Sequence, residues 1–337
     1  MKKIFSLLFA FVGMLIFSQQ IESFTTIFND KISIRAFQIW DQKIWYTGTG
    51  TKFGFVDLKD SKNQKQILLS DKKLEFRTLA QNKSSFYAIN VLSPAYFFEI
   101  DKKDLKSKVV YQDTVKTAFY DALHVVNDHL AYSFSDSDDT NSLKLAVLKN
   151  GKWDSFKNEV VLNKGEAAFA ASNTNIASTK KYVWIATGGK ASRILRLNSA
   201  TGKIEVFDTP FIQGESSQGM YSIDFYNDQF GIAVGGDYTK QADNINNIAT
   251  TNDGGKTWQI QASGANAGYA TCVKIRPGSG GKEILSVGDQ HISYSADFGK
   301  TWKKISDEKN LYVCEWIDCN SFAVAGKDRI AVVKLKF

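Results

Sequence analysis

Seven side chains of types that bind or catalyse stand beside short apolar runs: Arg35, Arg77, Asp121, Glu166 and Tyr221 near the starts of such runs, and Asp237 and Tyr238 just after one. Two arginines that converge can hold a carboxylate or phosphate through their forked N–H groups. Two carboxylates such as Asp121 and Glu166 can serve as the acid/base pair of a glycoside hydrolase when about 5 to 9.5 Å apart. The competing arrangement pairs Arg35 and Arg77 with Asp121 and Glu166 as structural ion pairs. Asp136-Ser137-Asp138-Asp139 has a trace of calcium-loop spacing but lacks the glycine and terminal glutamate of such loops, so it reads as a solvated loop. His124, His129 and His291 have no ligand spacing with the cysteines, which predicts no metal, neither zinc nor haem. Gly48-Thr49-Gly50 and Gly235-Gly236 follow strand-like runs but precede no helix, so they are turn glycines, and no cofactor is expected.

The elements that must position these side chains show in a stretch used twice. Residues Thr251-Asn252-Asp253-Gly254-Gly255-Lys256-Thr257-Trp258 and Ser295-Ala296-Asp297-Phe298-Gly299-Lys300-Thr301-Trp302 share a hydroxyl, an Asp, a Gly and a Lys-Thr-Trp ending, and they start 44 residues apart. That period is one four-stranded propeller blade. Asp253 and Asp297 are expected to hold backbone N–H groups of their own turns, and Trp258 and Trp302 to pack inward between blades, so all four are structural.

Seven second strands follow one another: 44–48, 86–89, 130–134, 183–187, 231–235, 284–288 and 322–326, rich in small and β-branched residues. First strands are expected at 34–37, 76–79, 120–123, 168–171, 221–224, 271–274 and 312–315, lining the central channel. The last unit runs out after a third strand at 330–333, and an unpaired edge is a liability. The strand-like segment 21–27 has no unit of its own and is expected to close the ring as the fourth strand of the last blade. The fold class is therefore all-β, a seven-bladed β-propeller closed by its N-terminal strand.

Lys2-Lys3 followed by the apolar run 4–17 and polar Ser18-Gln19-Gln20 reads as a secretory signal cut near residue 18, leaving 19–337 as a single propeller without a transmembrane segment. The expected location is the periplasm, the cell surface or the medium. Net charge is +7 with lysines scattered singly, which argues for solubility and against nucleic-acid binding. Of Cys272, Cys314 and Cys319, spacing does not choose a pair. Blade alignment puts Cys272 and Cys314 on corresponding strands of neighbouring units, favouring that bridge over three free thiols.

The two repeated turns resemble the Asp boxes of bacterial neuraminidase repeats. More of the chain resembles the photosystem II assembly/stability factor type of propeller and its bacterial relatives, often labelled oxidoreductases or glycosyl hydrolases. That resemblance rests on Ser33-Ile34-Arg35, Glu75-Phe76-Arg77, Phe119-Tyr120-Asp121-Ala122, 165–172, Thr187-Gly188-Gly189, 234–238 and 268–273, and covers most of the mature chain. It implies a propeller fold; fold does not set chemistry. A sialidase would need an arginine triad, yet the chain has six arginines, 35, 77, 193, 196, 276 and 329, with no third at the matching blade position. The expected function is a monomeric binding or assembly module for an envelope protein or a glycan, acting through its loop face and channel mouth. The alternative is a glycan hydrolase using the mouth carboxylates.

Overall fold

A computed structural model describes residues 19–336; the expected signal segment, 1–18, lies outside the described residues. The described chain contains strands and turns and no helix, arranged as seven antiparallel sheets around an axis. Blade one is Ala36–Trp40, Lys43–Thr47, Lys52–Asp57 and Gln64–Leu68, and blade two is Ala80–Gln81, Ser85–Ile89, Ala95–Asp101 and Ser107–Asp113. Blade three comprises Tyr120–Asn127, Leu130–Ser135, Lys144–Lys149 and Lys152–Ser155; blade four comprises Ile176–Ser178, Tyr182–Ala186, Arg193–Asn198 and Ile204–Asp208. Blade five has Gln218–Phe225, Gly231–Asp237, Ile248–Thr251 and Gln259–Ile260, and blade six has Cys272–Ile275, Ile284–Gly288, His291–Ser295 and Lys303–Ser306.

Blade seven closes the ring. Its inner strand is Leu311–Trp316, and the 16 residues Ser321–Lys336 form the next two strands. Sixteen extended residues would span about 50 Å. The Leu335 N–H nevertheless donates to Asn320 O at 2.8 Å, so the run folds back on itself, with Asp328 at φ 63° in the turn. The N-terminal strand Gln20–Ser33 then pairs with the returning half, Ile21 opposite Leu335 and Asn29 opposite Arg329. The expected closure by residues 21–27 is what the chain does, and it leaves no open third strand.

The core lies between blades, because each sheet has two faces and the ring covers both. Between blades four and five, the fully buried Trp184 ring stacks on Phe225 at 3.7 Å, with Trp258 edge-on to Phe225. Its indole N–H donates to Gly254 O at 2.8 Å, tying one blade's second strand to the next blade's repeated turn. In both copies two consecutive turn residues are left-handed, Gly254 and Gly255 at φ 75° and 83°, Phe298 and Gly299 at 63° and 80°. That explains the glycine in the shared template.

Three inner strands differ from expectation. Blade one begins two residues late, at Ala36, and blade two pairs only Ala80 and Gln81, with Phe76 in a lone bridge to Asn90. The expected inner strand of blade four, 168–171, is not a strand; Ile176–Ser178 takes that place. Glu166–Ala167 instead pairs with Gly188–Gly189, which adds two short strands to the sheet of blade five. A buried ion pair, described below, holds Glu166 to Arg193 on the third strand of blade four, and the residues that follow leave the sheet to cross the channel instead of pairing as its inner strand.

Candidate functional site

Loops entering first strands and loops joining second to third strands emerge at one end of the ring. At this mouth a cavity of about 340 Å³ is lined by Arg35, Arg77, Phe119, Asp121, residues 168–171, Tyr221, Tyr238, Gln241, Tyr269 and Asp289. Five of the sequence-selected residues thus meet there: Arg35, Arg77, Asp121, Tyr221 and Tyr238. The repeated turns join third to fourth strands and lie at the opposite end.

The floor of the mouth is a plug. Residues 171–174 cross the channel and bond to five other blades. The Arg35 Nη1 donates to Ala171 O at 3.0 Å, and Asn173 Nδ2 donates to Leu79 O and Leu123 O at 2.9 and 3.2 Å. Ser172 Oγ donates to Thr271 O at 2.6 Å, and Thr174 Oγ1 lies 2.7 Å from Ser222 Oγ. Asn173 takes φ 60°, a left-handed conformation that Asn tolerates.

Arg35 lies over the Tyr312 ring, 4.2 Å from its centroid. Burial, and then repulsion from Arg77, lowers its pKa, so the two guanidinium groups act on one region of the mouth. Arg77 Nε donates to Glu75 Oε1 at 2.8 Å, and this ion pair is partly exposed. The aromatic wall is rigid: Tyr221 stacks on Phe169 at 3.8 Å, meets Tyr269 edge-on at 4.9 Å, and donates its hydroxyl to Ser217 O. Burial raises the pKa of both tyrosines, which therefore stay neutral donors. Across the mouth, Asp289 Oδ2 accepts from Gln241 Nε2 at 3.0 Å while Oδ1 is buried without a partner, and burial raises its pKa.

Neither pairing weighed from the sequence forms. Glu166 is buried away from the mouth, where Arg193 grips it through Nε and Nη2 at 2.6 to 3.1 Å, and the Asn163 N–H and Thr187 hydroxyl complete its shell. It is a staple for the loop before the plug, not an acid/base partner of Asp121. Asp237 is also a turn staple: it accepts from Thr239 N–H at 2.9 Å, Thr239 Oγ1 at 2.6 Å and Gln218 Nε2 at 3.3 Å. Asp121 faces Asp136, from the stretch read as a solvated loop. With Glu166 held by Arg193 and Asp121 beside Asp136, Asp121 and Glu166 do not face each other across the mouth as a glycosidic acid/base pair must. Asp138, two residues on, caps Thr140 at 2.8 Å.

Sequence reasoning missed Tyr269, Asp289, Tyr312, Gln241 and Asp136. Three of them stood in stretches already singled out: Tyr269 in the motif at 268–273, Tyr312 at the start of the expected first strand 312–315, and Asp136 in the stretch read as a solvated loop. The repeated turns carry their hydrogen bonds locally: Asp253 accepts from Thr251, Lys256 and Thr257, Asp297 from Ser295 and Thr301, and both tryptophans donate to carbonyls of their own turns. Cys272 and Cys314 do lie side by side, Sγ to Sγ 3.6 Å, but as buried thiols, with Cys319 exposed and free. Among the described residues no three His, Cys, Asp or Glu side chains are grouped to hold a metal ion.

Beyond the plug lies a second cavity of about 220 Å³. Each blade contributes one polar inner-strand residue to it, and several of these satisfy one another: Gln81 with Gln38 at 3.3 Å, His124 with Ser178 at 2.8 Å, and Lys274 with Glu315 at 2.7 Å. Burial, with Lys274 nearby, pushes the His124 pKa down to about 4, so the imidazole is neutral. With its groups paired, this end has less to offer a ligand than the mouth.

The fold and site thus define a plugged seven-bladed propeller with an arginine- and tyrosine-lined mouth. No protein-family model matches the chain, and no curated protein matches it by sequence. Solved structures that resemble it include YCF48 bound to D1 peptide, at 12% identity and TM-score 0.66, covering 95% of this chain and 100% of that one. The WD40 repeats of RRP9 align at 10% identity and TM-score 0.68, covering 95% and 100%, and U3-55K at 10% and 0.66, covering 94% and 100%. At such identities the likeness is one of fold. Among the described residues no helix is long and apolar enough to cross a membrane.

Proposed function

We propose that the chain is an exported, monomeric binding module that takes a segment of an envelope protein at its mouth, acidic groups against Arg35 and Arg77 and apolar side chains on the rim. The observation that carries this is where exposed apolar side chains lie. Of the nine large exposed hydrophobic side chains among the described residues, Leu92, Val115, Val161, Tyr238 and Ile245 stand on mouth-face loops, and Tyr238 lines the cavity that holds the arginines. Apolar rims around a polar pocket mark protein-interaction faces. Export rests on the N-terminal residues. The Asp-box character of the repeated turns, and kinship with the photosystem II assembly factor type, belong to the same reading; the D1 peptide on YCF48 gives it a precedent within the fold.

The test is calorimetry or fluorescence anisotropy with a peptide panel that varies acidic and apolar content, run beside a glycan array. Acidic–apolar peptides should bind, and Arg77→Ala should weaken them about tenfold, the worth of one charge-assisted contact of about 1.5 kcal/mol. Leu92→Asp and Ile245→Asp should weaken them too. Unchanged affinity in all three variants, or glycan binding without peptide binding, would overturn the proposal.

A further inference from the structure

Asp121 is fully buried, and neither of its carboxylate oxygens has a hydrogen-bond partner. It occupies a β-bulge between Tyr120 and Ala122, opposite the end of the neighbouring strand, where Tyr120 pairs with Ser135. The bulge turns its side chain toward Asp136, whose Oδ1 is likewise buried without a partner. A lone buried carboxylate without donors is too costly to keep. As two carboxylates the pair repels; with one proton between them, the protonated oxygen donates to the other and both are served.

The pair sits beside the plug, on its mouth side. The Ala170 N–H faces Asp121 and the Ala168 N–H faces Asp136, short of full hydrogen bonds, and these residues lead into Ala171, whose carbonyl holds Arg35. From blade two, Arg77 is the cation facing Asp121. We propose that Asp121 and Asp136 share one proton that latches the plug under the mouth, and that losing this proton loosens the floor and weakens binding of anionic ligands beside Arg77. The second half rests on the mouth being the binding site. Burial, and then the charge of Asp136, holds the Asp121 carboxyl well above the usual carboxylate range. Burial likewise pushes Asp136 up to about 6, so both carboxyls hold a proton more tightly than exposed ones do.

The experiment has two arms on the mature chain. In the first, infrared difference spectra should show the C=O stretch of a protonated carboxylic acid near pH 7, absent from Asp121→Asn and from Asp136→Asn. Amide exchange at residues 168–174, corrected for the intrinsic pH effect, should lose protection as that band disappears with rising pH. Protection in either variant should be independent of pH, because an amide donates permanently. Absence of the band in the wild type, or protection that does not follow it, overturns the latch whether or not any ligand binds. In the second arm, affinity for an acidic peptide should fall severalfold, up to about tenfold, across the same pH interval, as expected when one charge is added near the arginines. Asp121→Asn should abolish that fall. A flat wild-type profile beside a titrating band overturns the gating. Absence of peptide binding with a normal band and normal exchange refutes the mouth reading and leaves the latch standing.

Discussion

Replacing Asp253 by alanine is the clearest test of how the repeated turns stabilise the ring. Its carboxylate accepts from Thr251 Oγ1 at 2.9 Å, Lys256 N at 3.0 Å, Thr257 N at 2.9 Å and Thr257 Oγ1 at 2.6 Å. Lys256 and Thr257 are exposed, so water can replace the carboxylate and each lost backbone bond costs about 1 kcal/mol rather than a full burial penalty. The turn also presents Gly254 O to two donors of blade four, Trp184 Nε1 at 2.8 Å and Arg196 Nη1 at 2.9 Å, both buried. A turn that shifts weakens these as well, for about 1 kcal/mol more. The expected loss is about 3 kcal/mol for Asp253→Ala and about 1 kcal/mol for Asp297→Ala, whose carboxylate accepts a single backbone N–H, that of Thr301. Asp253→Asn, which keeps one acceptor, should fall between wild type and alanine. Urea denaturation followed by tryptophan fluorescence and far-UV circular dichroism reads these differences. Equal losses at the two turns, or a loss below about 0.5 kcal/mol at Asp253, would show that the carboxylate-to-backbone account is wrong.

Hydrogen bonds within their turns hold the carboxyls of Asp253, Asp297 and Asp318 below their ordinary value. Their contribution is therefore present above the unfolded value of about 3.9 and lost as pH falls through the lowered folded values, so midpoint-versus-pH curves should drop on the acid side and Asp253→Asn should make that drop shallower. Gly299→Ala should destabilise by about 1 to 3 kcal/mol, because φ is 80° and the new methyl would stand 2.8 Å from Ile232 Cδ1; an unchanged melting temperature would contradict the left-handed requirement. Deleting 19–29 removes the closing strand of blade seven and bares its edge, so the truncated chain should melt lower and aggregate; a monomer with the full-length melting temperature would contradict the closure. A thiol reagent should label Cys319 alone in the native protein and all three cysteines after unfolding, since Cys272 and Cys314 are buried.

The blades were legible because each is a local object. Strand, turn and strand follow within about 44 residues, and their signals, small β-branched runs and turn glycines, need no distant partner. The closure was also readable, since a third strand without a fourth and a strand without a blade leave one economical answer. The inner strand of blade four was misplaced because 168–171 has the small-residue composition of an inner strand. A small-residue segment can equally cross a narrow channel, and nothing local distinguishes the two.

The site was legible only in part, for the same reason. Arg35, Arg77, Asp121, Tyr221 and Tyr238 could be chosen because first strands and mouth loops can be placed by blade alignment. Which of them meet was decided by contacts between residues far apart in the chain. Glu166 was taken by Arg193, 27 residues on, and Arg35 found Ala171, 136 residues on. Asp121 was turned to Asp136 by a bulge that one extra residue creates. The sequence by itself determined the count of blades, the turns that end them and the strand that closes them, since these follow from short-range periodicity and backbone preference. The tertiary structure alone decided the plug, the two cavities it divides and the acid pair beside it, because the partners of a side chain at the axis come from whichever blades curvature brings there.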